Sequence, residues 1–163
     1  MGNKIVVMAS GSGTNAENIF KTAKQNPLLE VVGLICDRPK DFMLERAKQW
    51  EIPAFVIPSS GIDRGEHGVL LEKKIKELGA DWVLLAGYMR ILPSAFIKAF
   101  ELSPQKSKII NIHPSLLPKY KGLNTHQRAI DAGDKKGGCS VHWVSAGVDE
   151  GAVIDQMPVP ILP

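Results

Sequence analysis

The sequence predicts an α/β fold: an open, mostly parallel twisted sheet with helices on both faces, closed by C-terminal strands that run antiparallel. Three observations carry this. Short apolar runs alternate with stretches whose apolar residues fall at helical spacing, a Gly/Ser loop separates the first run from the first such stretch, and the last two runs follow each other without a helix.

Ile5 to Ala9 is an apolar run that reads as the first strand, and Ala16, Ile19, Phe20 and Ala23 then mark one face of a helix, with Thr14 or Asn15 as its expected cap. Val31 to Cys36 is a second strand, closed by Asp37-Arg38-Pro39, and Phe42 to Trp50 follows as a short helix. Ala54 to Ile57, bracketed by prolines, makes a third strand. Gly65 to Leu78 is a helix with Leu71, Ile75 and Leu78 on its apolar stripe. Trp82 to Ala86 is the fourth strand, Pro93 to Phe100 a helix begun by proline, and Lys108 to His113 the fifth strand. Thr125 to Ala132 reads as a helix. Cys139 to Val144 and Ala152 to Val159 are two further strands, and the alternation of Val141 and Trp143 with Ser140 and His142 calls for a sheet with two unlike faces.

A chain of 163 residues, 44% hydrophobic and 23% charged, fits one soluble domain with a real core, spanning 1–163. Twenty Lys and Arg against 17 Asp and Glu leave a net charge of +3, too mild and dispersed to argue for nucleic acid and well suited to a small anionic ligand. Cys36 and Cys139 lack metal-ligand spacing and the density of a disulfide scaffold, so a reducing cytoplasm is the expected setting. No apolar run is long enough to span a membrane.

Chemistry concentrates at strand ends. Asn111 and His113 are two residues apart on the fifth strand, so both side chains leave the same face, and Pro114 stops the ladder just beyond them. Ligands of open α/β sheets collect at the carboxyl ends of the strands. An imidazole can move a proton at neutral pH and an amide can only donate a hydrogen bond, which divides the work of the pair if it is functional; the plain alternative is a polar strand end before a proline turn. The loop Ser10-Gly11-Ser12-Gly13-Thr14-Asn15 opens a helix with close backbone approach and unpaired amides, which favours a phosphate. A dinucleotide competes on that loop, because Gly11, Gly13 and Ala16 satisfy G-x-G-x-x-A and Asp37 stands where a ribose-binding acid would. Met89, Ile91 and Leu92 offer apolar surface for a flat ring, with Arg90 either beside it or simply solvated. Asp149 lies in a glycine-bracketed loop, and a carboxylate beside an imidazole favours its charged form.

These residues together resemble a known family. Ser10 to Asn15, Ala86 to Leu92, Asn111 to Tyr120, Gly122 with Thr125-His126, and Ser140-Val141-His142 with Asp149 are similar, in order and spacing, to the motifs of the phosphoribosylglycinamide formyltransferase family. The Asn-x-His-x-Ser-Leu-Leu-Pro core belongs to the wider superfamily of formyltetrahydrofolate enzymes, including deformylases and the tRNA formyltransferases. The Ser10 to Asn15 loop and the segment Lys119 to His126 favour the ribonucleotide enzymes.

The resemblance implies a Rossmann-like formyltransferase fold and transfer of a formyl group from 10-formyltetrahydrofolate to the amine of glycinamide ribonucleotide in purine synthesis, without a metal. It implies catalytic roles for Asn111, His113 and Asp149. Gly13, Thr14 and Asn15 would bind the substrate phosphate. Folate would lie against Arg64, Met89, Arg90, Ile91, Leu92, Asn111, Ser145, Ala146, Gly147, Val148 and Asp149. The partners implied are these small molecules alone, with no nucleic acid or membrane, in a monomer or homodimer. The family continues through a further helix, so the domain is expected to lack a C-terminal segment. A formyltetrahydrofolate hydrolase or another formyltransferase is the related alternative, and a dinucleotide-binding module the distant one.

Overall fold

The computed structural model describes residues 2–162, which divide into two compact units, one ending at Ala99 and the other beginning at Phe100. In the first unit, strands β1 (Asn3–Met8), β2 (Leu29–Cys36), β3 (Ala54–Val56) and β4 (Trp82–Leu85) are all parallel, in the order β3-β2-β1-β4. Residues Ile5 to Met8 are buried whichever way they point, which is why β1 is a continuous apolar run and not an alternating one.

Ile5, Val7 and Ala9 pack with Ala16, Phe20 and Ala23 of α1 (Thr14–Gln25) and with Met43 and Ala47 of α2 (Met43–Gln49). Val6 and Met8 point to the opposite face and are fully buried as well, so this sheet is covered on both sides. The remaining helices of the unit, α3 (Arg64–Glu77) and α4 (Ser94–Ala99), pack against each other. Leu71 and Ile75 lie on the buried stripe of α3 as expected, joined by His67 and Gly68, while Leu78 falls just past the helix as its cap. Asp63 caps the other end by accepting from the Gly65 and Glu66 amides at 2.6 and 3.4 Å.

The start of α1 differs from expectation. Its N-cap is Gly13, in the left-handed region at φ 73°, and neither Thr14 nor Asn15 caps it, because both already lie in the first helical turn. A glycine is needed there twice over. The positive φ disfavours any side chain, and a Cβ would stand 2.4 Å from the Cβ of Met43, so loop and α2 meet in direct contact.

The second unit is antiparallel. Strand β7 (Ile109–His113) pairs with β8 (Lys136–Trp143), which pairs with β9 (Val153–Pro160); α5 (Thr125–Asp131) lies between β7 and β8 in sequence. A small hairpin of β5 (Glu101–Ser103) and β6 (Lys106–Ser107) precedes them and has no counterpart in the sequence reading, because its turn uses Gln105 at φ 67° in place of a glycine or asparagine signal. Ser140 and His142 are buried while Val141 and Trp143 are half-buried, so the more enclosed face of β8 is the polar one. β9 is exposed along its length, as Pro158 and Pro160 in an edge strand require. Among the described residues no helix is long and apolar enough to cross a membrane.

Tyr88, just after β4, carries a hydroxyl that is buried without a hydrogen-bond partner among the described residues. Burial pushes this phenol up, and the Asp37 charge adds to the effect. Removing the stranded hydroxyl with Tyr88→Phe is expected to raise the free energy of unfolding by about 1 kcal/mol, or about 3 °C in Tm. Urea or thermal melts check it, and a less stable variant would show that the hydroxyl is satisfied in solution.

Candidate active site

The second unit builds a cluster of four polar side chains and one loop. Antiparallel register sets Asn111 opposite His142 and His113 opposite Ser140, and residues directly opposite each other project from the same face. Asp149 comes to this face from the loop after β8, with its own backbone at φ 53°. Gly151 ends the loop against β8 so closely that a Cβ would sit 1.6 Å from the Trp143 carbonyl oxygen.

His113 Nδ1 lies 3.3 Å from Asp149 Oδ2, and its Nε2 donates to the Tyr120 carbonyl at 2.9 Å. Both nitrogens thus face oxygen acceptors, an arrangement that a doubly protonated ring satisfies at each end. The His142 Nδ1 donates to the Trp143 carbonyl at 2.9 Å, leaving Nε2 as acceptor for the Asn111 amide at 3.1 Å. That same Nε2 lies 3.6 Å from Asp149 Oδ1, beyond a good hydrogen bond. The Gly122 amide donates to Asp149 Oδ2 at 2.9 Å. His113 and His142 are 5% and 2% exposed, so the carboxylate works in a poorly hydrated setting. Burial alone would raise the Asp149 carboxyl, but the adjoining His142 ring, the Gly122 amide and the His113 ring outweigh it and hold the group below the usual carboxylate range.

Ser140, fully buried, braces the segment after His113. Its hydroxyl donates to the Ser115 carbonyl at 2.7 Å and accepts from the Leu117 amide at 3.0 Å and from Gln156 Nε2 at 2.9 Å. His142 and Ser140 were only part of a strand motif in the sequence reading. The signal that finds them is the pairing of β7 with β8, which no local pattern displays.

The Formyl transferase family matches residues 3–163. The chain belongs to this family. It is 41% identical over 162 residues to the phosphoribosylglycinamide formyltransferase of Haemophilus influenzae, covering 98% of this chain and 74% of that one. It is 38% identical to part of the trifunctional purine biosynthetic protein adenosine-3 of Drosophila melanogaster, covering 98% of this chain but only 12% of that protein's length. Among solved structures, glycinamide ribonucleotide transformylase 1 of Symbiobacterium toebii matches with a TM-score of 0.92 at 38% identity, over 99% of this chain and 75% of that one. The phosphoribosylglycinamide formyltransferase of Coxiella burnetii, solved with CHES, matches at 0.91 and 38%, over 100% and 75%.

The other residues expected of a formyltransferase site lie in the first unit, apart from Ser145 to Val148 in the loop after β8. Gly13 is buried, and Thr14 and Asn15 are exposed on the first turn of α1, where no side chain caps the helix. Helix-start amides of this kind favour an anion. The loop itself is tied down from outside: the Gly11 amide donates to Asp41 at 2.8 Å, Arg46 Nε donates to the Ser12 carbonyl at 2.8 Å, and Arg46 also pairs with Glu17. Met89 and Ile91 are exposed, whereas Leu92 is 7% exposed, so its side chain belongs to the core and does not offer the apolar surface expected of it. Arg90 is exposed but not free, since its Nε donates to Asp37 at 2.6 Å. Arg64 opens α3 and is exposed. Of the loop from Ser145, Ala146 and Val148 are exposed while Ser145, Gly147 and Asp149 are half-buried. Asp37 corrects the dinucleotide alternative, because its side chain has no exposed surface and is occupied by Ser10, Arg90 and Ser59, leaving nothing for a ribose hydroxyl.

Proposed function

We propose that the chain transfers the formyl group of 10-formyltetrahydrofolate to the primary amine of glycinamide ribonucleotide, a step of purine synthesis, as relatives 40–41% identical to it are named for. The observation that carries the reading is the cluster of Asn111, His113 and Asp149, whose groups match what acyl transfer between two amines demands. Attack of the amine on the formyl carbon makes a tetrahedral intermediate with a developing oxyanion. Asn111 Nδ2 and a protonated His113 are its donors, and such preorganised donors contribute a few kcal/mol each to the transition state. The folate nitrogen then leaves as an amine and needs a proton, which the imidazolium supplies, and the proton shed by the attacking nitrogen restores the ring, while Asp149 keeps it oriented.

For the ribonucleotide, Gly13, Thr14 and Asn15 offer the phosphate the amides of a helix start. Folate would use the exposed Met89 and Ile91 with Arg64, Arg90 and the 145–149 loop. Two free cysteines, Cys36 buried and Cys139 half-buried, suit a reducing cytosol.

In the structure the Tyr120 carbonyl holds His113 Nε2, so reaction through that nitrogen requires the 118–122 segment to yield it to substrate. The test is incubation with 10-formyltetrahydrofolate, with and without glycinamide ribonucleotide, following tetrahydrofolate and formylated ribonucleotide. Both products are expected, in equal amounts and only with the acceptor present. Folate turnover without acceptor would make the chain a hydrolase instead.

A further inference from the structure

Asp37 follows directly on β2 with a carboxylate that has no exposed surface, a costly place for a charge unless it is fully paired. Its pairing joins three separate loops of the first unit. Ser10 Oγ donates to Oδ1 at 3.0 Å from the loop after β1. Ser59 Oγ reaches Oδ2 at 3.5 Å from the loop after β3, and Arg90 Nε donates to Oδ2 at 2.6 Å from the loop after β4.

The Ser10 hydroxyl, having given its proton to Asp37, accepts from the Met89 amide at 3.2 Å, while the Ser10 amide donates to the Gly87 carbonyl at 3.1 Å. One buried carboxylate therefore fixes the first residue of the anion-binding loop and both the backbone and the side chain of the Met89 to Leu92 segment. Burial alone would raise this carboxyl, and the hydrogen bonds from Arg90 and Ser10 overcome it and hold the group low.

We infer that Asp37 is a positioning residue that keeps the two substrate-binding segments of the first unit in one arrangement, so that the apparent affinity for both substrates depends on a side chain that touches neither. The inference rests on the proposed function, which makes Gly13 to Asn15, in the loop that begins at Ser10, and Met89 to Ile91 the two binding segments. A residue that merely supports the fold would lower the amount of active protein and leave each KM alone. A positioning residue moves both KM values and largely spares kcat.

Steady-state kinetics with each substrate varied in turn test this on the wild type, Asp37→Ala, Asp37→Asn and Ser10→Ala. For Asp37→Ala both KM values are expected to rise about tenfold, the scale of a lost charge-assisted hydrogen bond, with kcat within about threefold. Asp37→Asn can still accept from Arg90 through its amide oxygen and donate to Ser10 Oγ, so it is expected to restore both KM values to within about threefold. Ser10→Ala leaves the buried charge on Arg90 and is expected to raise both KM values by about threefold, which keeps the test available should Asp37→Ala not fold. A rise in one KM only, in neither, or a fall in kcat alone across the folded variants would overturn the inference. A wild type that turns over neither substrate would bring down the functional reading and this inference together, whereas an active wild type with unmoved variants brings down this inference alone.

Discussion

His113→Ala is expected to lower turnover by about 10²–10⁴-fold, the usual contribution of a positioned general acid, while folate still binds within a few-fold of the wild type. The separation follows from the chemistry proposed for the ring. Its donor role toward the oxyanion and its proton for the leaving nitrogen matter only once the formyl carbon has been attacked, so removal affects the transition state far more than the ground state. A partly overlapping loss comes from Asp149, which would be left in a 10% exposed position with His142 at 3.6 Å and the Gly122 amide as its remaining partners. Single-turnover rates with an independent measurement of folate binding give the answer. Wild-type rates in the variant would remove His113 from the mechanism, and a binding loss as large as the rate loss would make it a binding residue.

Asp149→Asn should change how the stability of the protein responds to acid. The wild-type carboxyl is held low, so its charge, and the stability that charge contributes, are fully present above the ordinary carboxyl value of about 3.9 and are lost as pH falls through the lower folded value. Near neutrality Asp149 is a carboxylate throughout, an acceptor 3.3 Å from His113 Nδ1. Asparagine has no carboxyl to titrate, so the variant is expected to lack both the stability this charge contributes near neutrality and the acid-side loss that follows its protonation. Turnover at the optimum should fall as well, since an amide NH₂ can present a donor to His113 Nδ1 where an acceptor is needed. Unfolding measured from pH 7 down to 2, with kcat/KM at the optimum, shows both effects, and a variant with the wild-type pH dependence of stability and wild-type turnover would dissolve the proposed pairing.

How much of this was legible in the sequence depends on range. The fold class followed from local pattern, since buried parallel strands are runs and amphipathic helices have a period, and β1, α1 and α3 read accordingly. Asn111 and His113 were legible because strand alternation acts over two residues. His142 was not, because its partnership with Asn111 comes from the pairing of two strands 31 positions apart. Asp37 stayed ambiguous for the same reason. Its local setting at a strand end fits a ribose acid, and the contact that decides otherwise is with Arg90, 53 positions further on. The cap of α1 failed on a local matter, where the left-handed backbone at Gly13 displaced the side-chain caps that composition favours.

The pairing of β7 with β8 has a consequence for how such a site can come into being. Because side chains alternate strictly along a strand, a slip of one residue in this pairing would turn Ser140 and His142 to the other face and bring Val141 opposite His113 and Trp143 opposite Asn111. No intermediate register holds half the cluster. The constellation therefore assembles in one step with the strand pair itself, and a population of molecules with partly slipped strands would contain fewer working copies, each at full strength, instead of many weakened ones.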